Sequence, residues 1–186
     1  MDLVPSLARL RRRVLAPIAL HRLDTLARDG LPPVLLPALR QIISDRVPAV
    51  ARPRVAGVER LRSELASQPG TVAIYYSPRP HSAGDTPSAD LRPAQGELQD
   101  FTMDRVARLV STGPRWGAFL HLCADAARAS TILELGSCAG IATAYMATSP
   151  SRPTVYTIEG SEHLAAIARA TTARFGDSRS PDMAVG

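Results

Sequence analysis

Residues 131–148 read TILELGSCAGIATAYMAT, and residues 154–175 read TVYTIEGSEHLAAIARATTARF. Thr131–Leu135 is a short apolar run that stops at a turn signal, which is the pattern of a buried strand. Gly136–Gly140 follows as a glycine-bounded loop, and Ile141–Thr148 carries helical spacing. Pro150–Pro153 breaks the chain. Val155–Ile158 reads as a second strand and Glu159-Gly160 as a turn. Ser161–Phe175 reads as a helix with Leu164, Ile167, Ala168 and Thr171 inward. Strand, helix, strand and helix in quick succession imply an α/β fold with a parallel sheet and right-handed crossovers. Asp182–Gly186 (DMAVG) has the character of a third strand.

Upstream, Trp116, Phe119, Leu120, Cys123 and Ala127 recur at the spacing of one helix face. The single Trp of the chain lies there, and a core anchor is the expected role. Leu98, Phe101, Val106, Leu109 and Val110 suit another helix, ended by Gly113-Pro114. Residues 77–96 hold Pro, Ser, Gly and Asp with almost no large apolar side chain, and read as a loop or linker. His81 lies in it, and solvation is the expected role. Thr71–Tyr76 (TVAIYY) has strand character; Tyr75 and Tyr76 are assigned to strand packing rather than to a pocket. Before it, Leu35, Leu36, Leu39, Ile42, Ile43 and Val47 mark one helix face, and Val58, Leu61 and Leu65 another. The organisation expected is an N-terminal helical extension over 1–76, a linker over 77–96, and an α/β domain over 97–186.

The chain has 186 residues and a formal net charge of +5. All 22 of its basic residues are Arg, and it has no Lys or Asn. That bias belongs to a GC-rich coding sequence, so the basic charge is weak support for a nucleic-acid partner. Aromatic residues at 4% leave little for base stacking. Two cysteines exclude a disulfide scaffold and the usual zinc clusters. No apolar run reaches the ~18–20 residues that cross a bilayer. The start, MDLVPSLARLRRRVLAPIAL, is Arg-rich with Leu3, Leu7, Leu10, Val14 and Ile18 at helical spacing. A solvated basic face on a packed helix is the simplest reading; a transit peptide or a membrane-surface helix shares the pattern.

The chemistry concentrates in the opening stretch. Between Arg128 and Arg152, Glu134 is the only charged residue. A carboxylate buried without a partner is costly, and a ligand ammonium group would supply one. Gly136 permits a sharp turn and a close ligand approach, and Gly140 is expected to do the same at the helix start. Glu159 ends the next strand, and its two oxygens can accept both hydroxyls of a ribose. A dinucleotide loop wants GxGxxG so that a pyrophosphate can approach; here Cys138 holds the middle position, and Glu134 would repel phosphate. An ordinary βαβ unit whose acids merely cap loops is the competing reading. Cys138 has no neighbouring base in sequence and reads as a loop filler rather than a nucleophile. His121 and His163 have no partner at metal-ligand spacing and read as structural or exposed.

On these residues the chain resembles the class I S-adenosylmethionine-dependent methyltransferases over roughly residues 97–176. Glu134, Gly136 and Gly140 stand at that family's first motif, and Glu159 at its second. The resemblance implies a Rossmann-like sheet and S-adenosylmethionine as cofactor. Glu134 would bear on the methionine amino end, Gly136, Ser137, Cys138 and Gly140 on the methionine portion, and Glu159 on the ribose. That family has seven strands, and its remaining motifs would lie beyond Gly186. The expectation is therefore an incomplete methyltransferase that binds its cofactor weakly, shows no turnover, and self-associates through an open sheet edge. The resemblance names no methyl acceptor and implies a cytoplasmic location. The alternatives are a nicotinamide-dependent oxidoreductase fragment and a non-catalytic helical or α/β binding module.

Overall fold

A computed structural model describes residues 4–76, 97–175 and 182–185, with side chains for 14–74 and 98–175. The linker 77–96, with His81, and the side chains of Tyr75 and Tyr76 lie outside the described residues. Helices α1 (Val4–Arg28), α2 (Leu36–Ile43) and α3 (Arg52–Ala66) come first. Strands β1 (Thr71–Tyr76) and β2 (Glu97–Thr102) pair antiparallel, with Thr71 opposite Thr102 and Tyr76 opposite Glu97. A helical turn α4 (Met103–Arg105) runs into one π turn, Val106–Val110, and then α5 (Pro114–Ala126). Next come β3 (Thr131–Leu135), α6 (Ile141–Ala147), β4 (Thr154–Glu159), α7 (Glu162–Ala173) and β5 (Asp182–Val185). Strands β3, β4 and β5 form a parallel sheet in that order, with Glu134 opposite Thr157.

The chain is a mixed α/β fold with one antiparallel hairpin and one parallel sheet. The main core gathers Val58, Leu61 and Leu65 of α3, Phe101 of β2, Val106 of the π turn, Ile141 and Tyr145 of α6, and Leu164 of α7. The stripe expected at 58, 61 and 65 is thus buried, and it shares one core with the α/β half. Ala38 and Ile42 of α2 pack with Ala118 and Leu122 of α5 in a second cluster.

Two expectations fail. Residues 97–102 form β2 rather than the start of a helix. Phe101 is buried while Leu98 and Asp100 are exposed, a period of two set by pairing with β1. Leu109 is also exposed. Trp116 is no core anchor: it is 64% exposed and meets Phe119 edge-on. The buried face of α5 is instead Gly117, Ala118, His121, Leu122 and Ala124. The reason is close approach to α6, because a Cβ on Gly117 would fall 2.1 Å from the Tyr145 ring.

Among the described residues the parallel sheet is covered on one face only. Helices α6 and α7 lie over the side that carries Thr157 and Glu159, both buried. On the other side Leu133 and Leu135 are 67% and 76% exposed, with Tyr156 and Ile158 exposed beside them. Parallel sheets are ordinarily covered on both faces, so this apolar surface is unusual. Among the described residues β3 is also a sheet edge. No helix of the described residues is long and apolar enough to cross a membrane. On α1, Val14, Leu15, Ile18 and Leu26 are exposed.

Candidate functional site

The loop between β3 and α6 turns by alternating backbone signs. Gly136, Cys138 and Gly140 have φ of +84°, +51° and +77°. Such a left-handed residue is easy for glycine and strained for cysteine. The two glycines do different work. A Cβ on Gly136 would meet nothing within 4 Å, so the space beside it is open to a ligand. A Cβ on Gly140 would stand 2.9 Å from the Ala168 backbone of α7. Gly140 therefore allows the close approach of helix α7, a packing role that the sequence reading did not include.

Glu159 organises the loop. Its Oε2 accepts the Cys138 amide at 2.7 Å, and its Oε1 accepts the Ser161 amide at 3.0 Å. Each oxygen keeps a further lone pair, so a hydroxyl donor can still be accepted. Ser161 also caps α7, accepting from the Leu164 amide. The Gly136 amide donates to the Ile158 carbonyl, tying the loop to β4. The Ser137 hydroxyl is buried with no hydrogen-bond partner.

Glu134 lies on the same sheet face as Glu159, one strand over. The Thr143 hydroxyl of α6 donates to it at 2.5 Å. It is thus not wholly without a partner, as the sequence alone suggested. Burial holds the Glu134 carboxyl above the ordinary carboxylate range; the hydroxyls of Thr143 and Thr157 oppose that shift, and the charge of Glu159 adds to it. A carboxyl raised in this way binds more protons folded than unfolded. Its ionisation therefore costs stability as pH rises from the unfolded value of about 4.3 through the folded one. Glu134→Gln should raise Tm at pH 7, by about 2–4 °C for a gain of ~1 kcal/mol. Thermal unfolding of variant against parent from pH 4 to pH 7.5 checks this, and an equal difference at every pH would contradict it.

His121 titrates with the opposite sign. It is fully buried, and because a carbonyl only accepts, its Nδ1 carries the proton donated to the Tyr145 carbonyl at 3.0 Å. Burial lowers its pKa, so its contribution is lost as pH falls below about 6.5. His121 is thus a buried, hydrogen-bonded core histidine, and His163 is exposed. Burial likewise raises the Cys138 pKa, which keeps the thiol protonated and a poor nucleophile. Its sulfur lies 3.6 Å from the Ser111 hydroxyl. Among the described residues no group of His, Cys, Asp and Glu could hold a metal ion.

Sequence reasoning missed a buried polar chain behind this loop. Arg62 of α3 is 4% exposed and pairs with Glu59, with Nε at 2.9 Å from Oε1. The Tyr145 hydroxyl donates to the same Glu59 oxygen at 2.5 Å. One signal was present: Arg62 falls four residues after Val58 and three before Leu65, on the apolar stripe of α3. No family model matches the chain, and no curated protein matches it.

Proposed function

We propose that the 136–140 loop with Glu134 and Glu159 binds S-adenosylmethionine, and that the chain carries the cofactor-binding part of a Rossmann-like class I methyltransferase. One observation carries the reading. Two carboxylates stand on one face at the carboxyl ends of adjacent parallel strands, and the Cys138 amide is directed at Glu159. A pyrophosphate lying over the loop would meet the charge of Glu134 and would have to compete with Glu159 for the Cys138 amide. A ligand with an ammonium group and a ribose diol meets what the site offers, an acid for each. The open space beside Gly136 and the unpartnered Ser137 hydroxyl fit a ligand that passes over the loop. The bound cofactor would supply an electrophilic methyl group on sulfonium. The chain's part is to bind and orient it; no residue is assigned to the acceptor.

The test uses a chain carrying Leu133→Lys and Leu135→Glu, which charges the exposed sheet face opposite the carboxylates. Glu159→Gln in that chain should weaken S-adenosylhomocysteine binding by about 1.5–3 kcal/mol, the range for hydrogen bonds to a charged acceptor. Equal affinity of variant and parent by calorimetry would refute the ribose assignment.

A further inference from the structure

The buried polar chain behind the loop has a geometry that packing alone does not require. Arg62 Nη1 donates to the Ala107 carbonyl at 2.6 Å and Nη2 to the Thr112 carbonyl at 2.6 Å. One guanidinium therefore holds both the π turn and the segment that leaves it. Its Nε faces both oxygens of Glu59, at 2.9 and 3.1 Å. Glu59 in turn holds Tyr145 of α6, the helix that Gly140 opens. Ser111, buried between the carbonyls that Arg62 grips, places its hydroxyl against the Cys138 sulfur. Cys138 is the loop residue whose amide reaches Glu159.

We propose that Arg62, Glu59 and Tyr145 are positioning residues for the ligand loop, acting through the π turn and Ser111 on Cys138. The ligand part of this proposal rests on the reading above; the loop part does not. Arg62 is buried and Glu59 half-buried; burying a charge makes an ion pair a poor source of stability compared with apolar packing, and its best-attested use is to fix one arrangement among several. Single π turns occur frequently at functional sites. The loop needs such support, because Cys138 holds a left-handed φ that cysteine does not favour. Helix α3 thereby becomes part of the site's frame. A lysine at 62 would keep the charge beside Glu59 but lacks the planar fork that spans two carbonyls.

The experiment compares Arg62→Lys, Tyr145→Phe and Leu65→Val in the charged-face chain. Leu65→Val loosens the same helix without touching the polar chain. Hydrogen exchange of the Cys138 amide reads the loop, and calorimetry with S-adenosylhomocysteine reads the ligand. Arg62→Lys should speed exchange at Cys138 and weaken binding by about tenfold each, and Tyr145→Phe by about threefold. Leu65→Val should lower Tm and leave both readouts at parent values. Parent-like exchange at Cys138 in Arg62→Lys, or equal changes in Leu65→Val, would overturn the proposal. If Arg62→Lys does not fold, Tyr145→Phe decides in the same way. If the parent binds no S-adenosylhomocysteine, the cofactor reading falls, and amide exchange alone decides the positioning role.

Discussion

Leu133→Lys with Leu135→Glu is expected to convert a self-associating chain into a monomer. The parent exposes Leu133, Leu135, Tyr156 and Ile158 together on the bare face of a parallel sheet. The described side chains of that face carry no charge that would oppose close approach of a second copy. Among the described residues strand β3 is also a sheet edge, and the N–H and C=O groups of an edge invite another strand. A patch of a few hundred Å² buried at ~25 cal/mol per Å² offsets several kcal/mol of association cost. Against a total stability of ~5–15 kcal/mol, exposure of this size also weighs on folding itself. Both substitutions point away from Glu134 and Glu159, so the site face is untouched. Sedimentation velocity at micromolar concentration should show dimers or larger species for the parent and monomer for the variant. A monomeric parent with a sharp unfolding transition would contradict the prediction.

Gly117→Ala should be among the most damaging single methyl additions in the chain. Its Cβ would overlap the Tyr145 ring at 2.1 Å. The ring cannot step aside cheaply, because it is fully buried and its hydroxyl is held by Glu59. Overpacking a core site typically costs about 1–3 kcal/mol; a fixed ring at this distance puts Gly117→Ala at the upper end, about 3 kcal/mol, which lowers Tm by roughly 6–12 °C in a chain of this size. Gly113→Ala is the control: nothing lies within 4 Å of its Cβ, and its φ of −66° suits alanine. Thermal unfolding of the two variants should separate them clearly. A Gly117→Ala Tm within a degree or two of the parent would show that α5 and α6 stand further apart.

The legible part of the fold was its local part. Strand β3 falls at Thr131–Leu135 as read, and α6, β4, α7 and β5 lie within a residue or two of their expected bounds. Each is short, punctuated by Gly or Pro, and has a clear period. Strand β2 was not legible, because Leu98 and Phe101 also satisfy helical spacing. What decides is pairing with β1, which no local pattern announces. Trp116 misled for a similar reason: its size suggests burial, but α5 turns its small residues toward Tyr145.

The site divides in the same way. Glu134, Gly136 and Glu159 could be placed from strand ends and turn signals, and the structure brings the two acids to one face. The Thr143 contact and the packing of Gly140 against Ala168 depend on how helices land on the sheet. The Arg62–Glu59–Tyr145 chain joins residues up to 86 positions apart. Arg60 and Arg54, on the same helix, look alike in sequence, yet only Arg62 of the three is buried.

The most direct test of the central claim is a calorimetric titration of the charged-face chain with S-adenosylhomocysteine and, separately, with NAD. Both ligands carry an adenosine, but only NAD brings a pyrophosphate to the loop beside Glu134. A weak but measurable heat is expected for S-adenosylhomocysteine, lost in Glu159→Gln, and none for NAD. Micromolar NAD binding without an S-adenosylhomocysteine signal would contradict it.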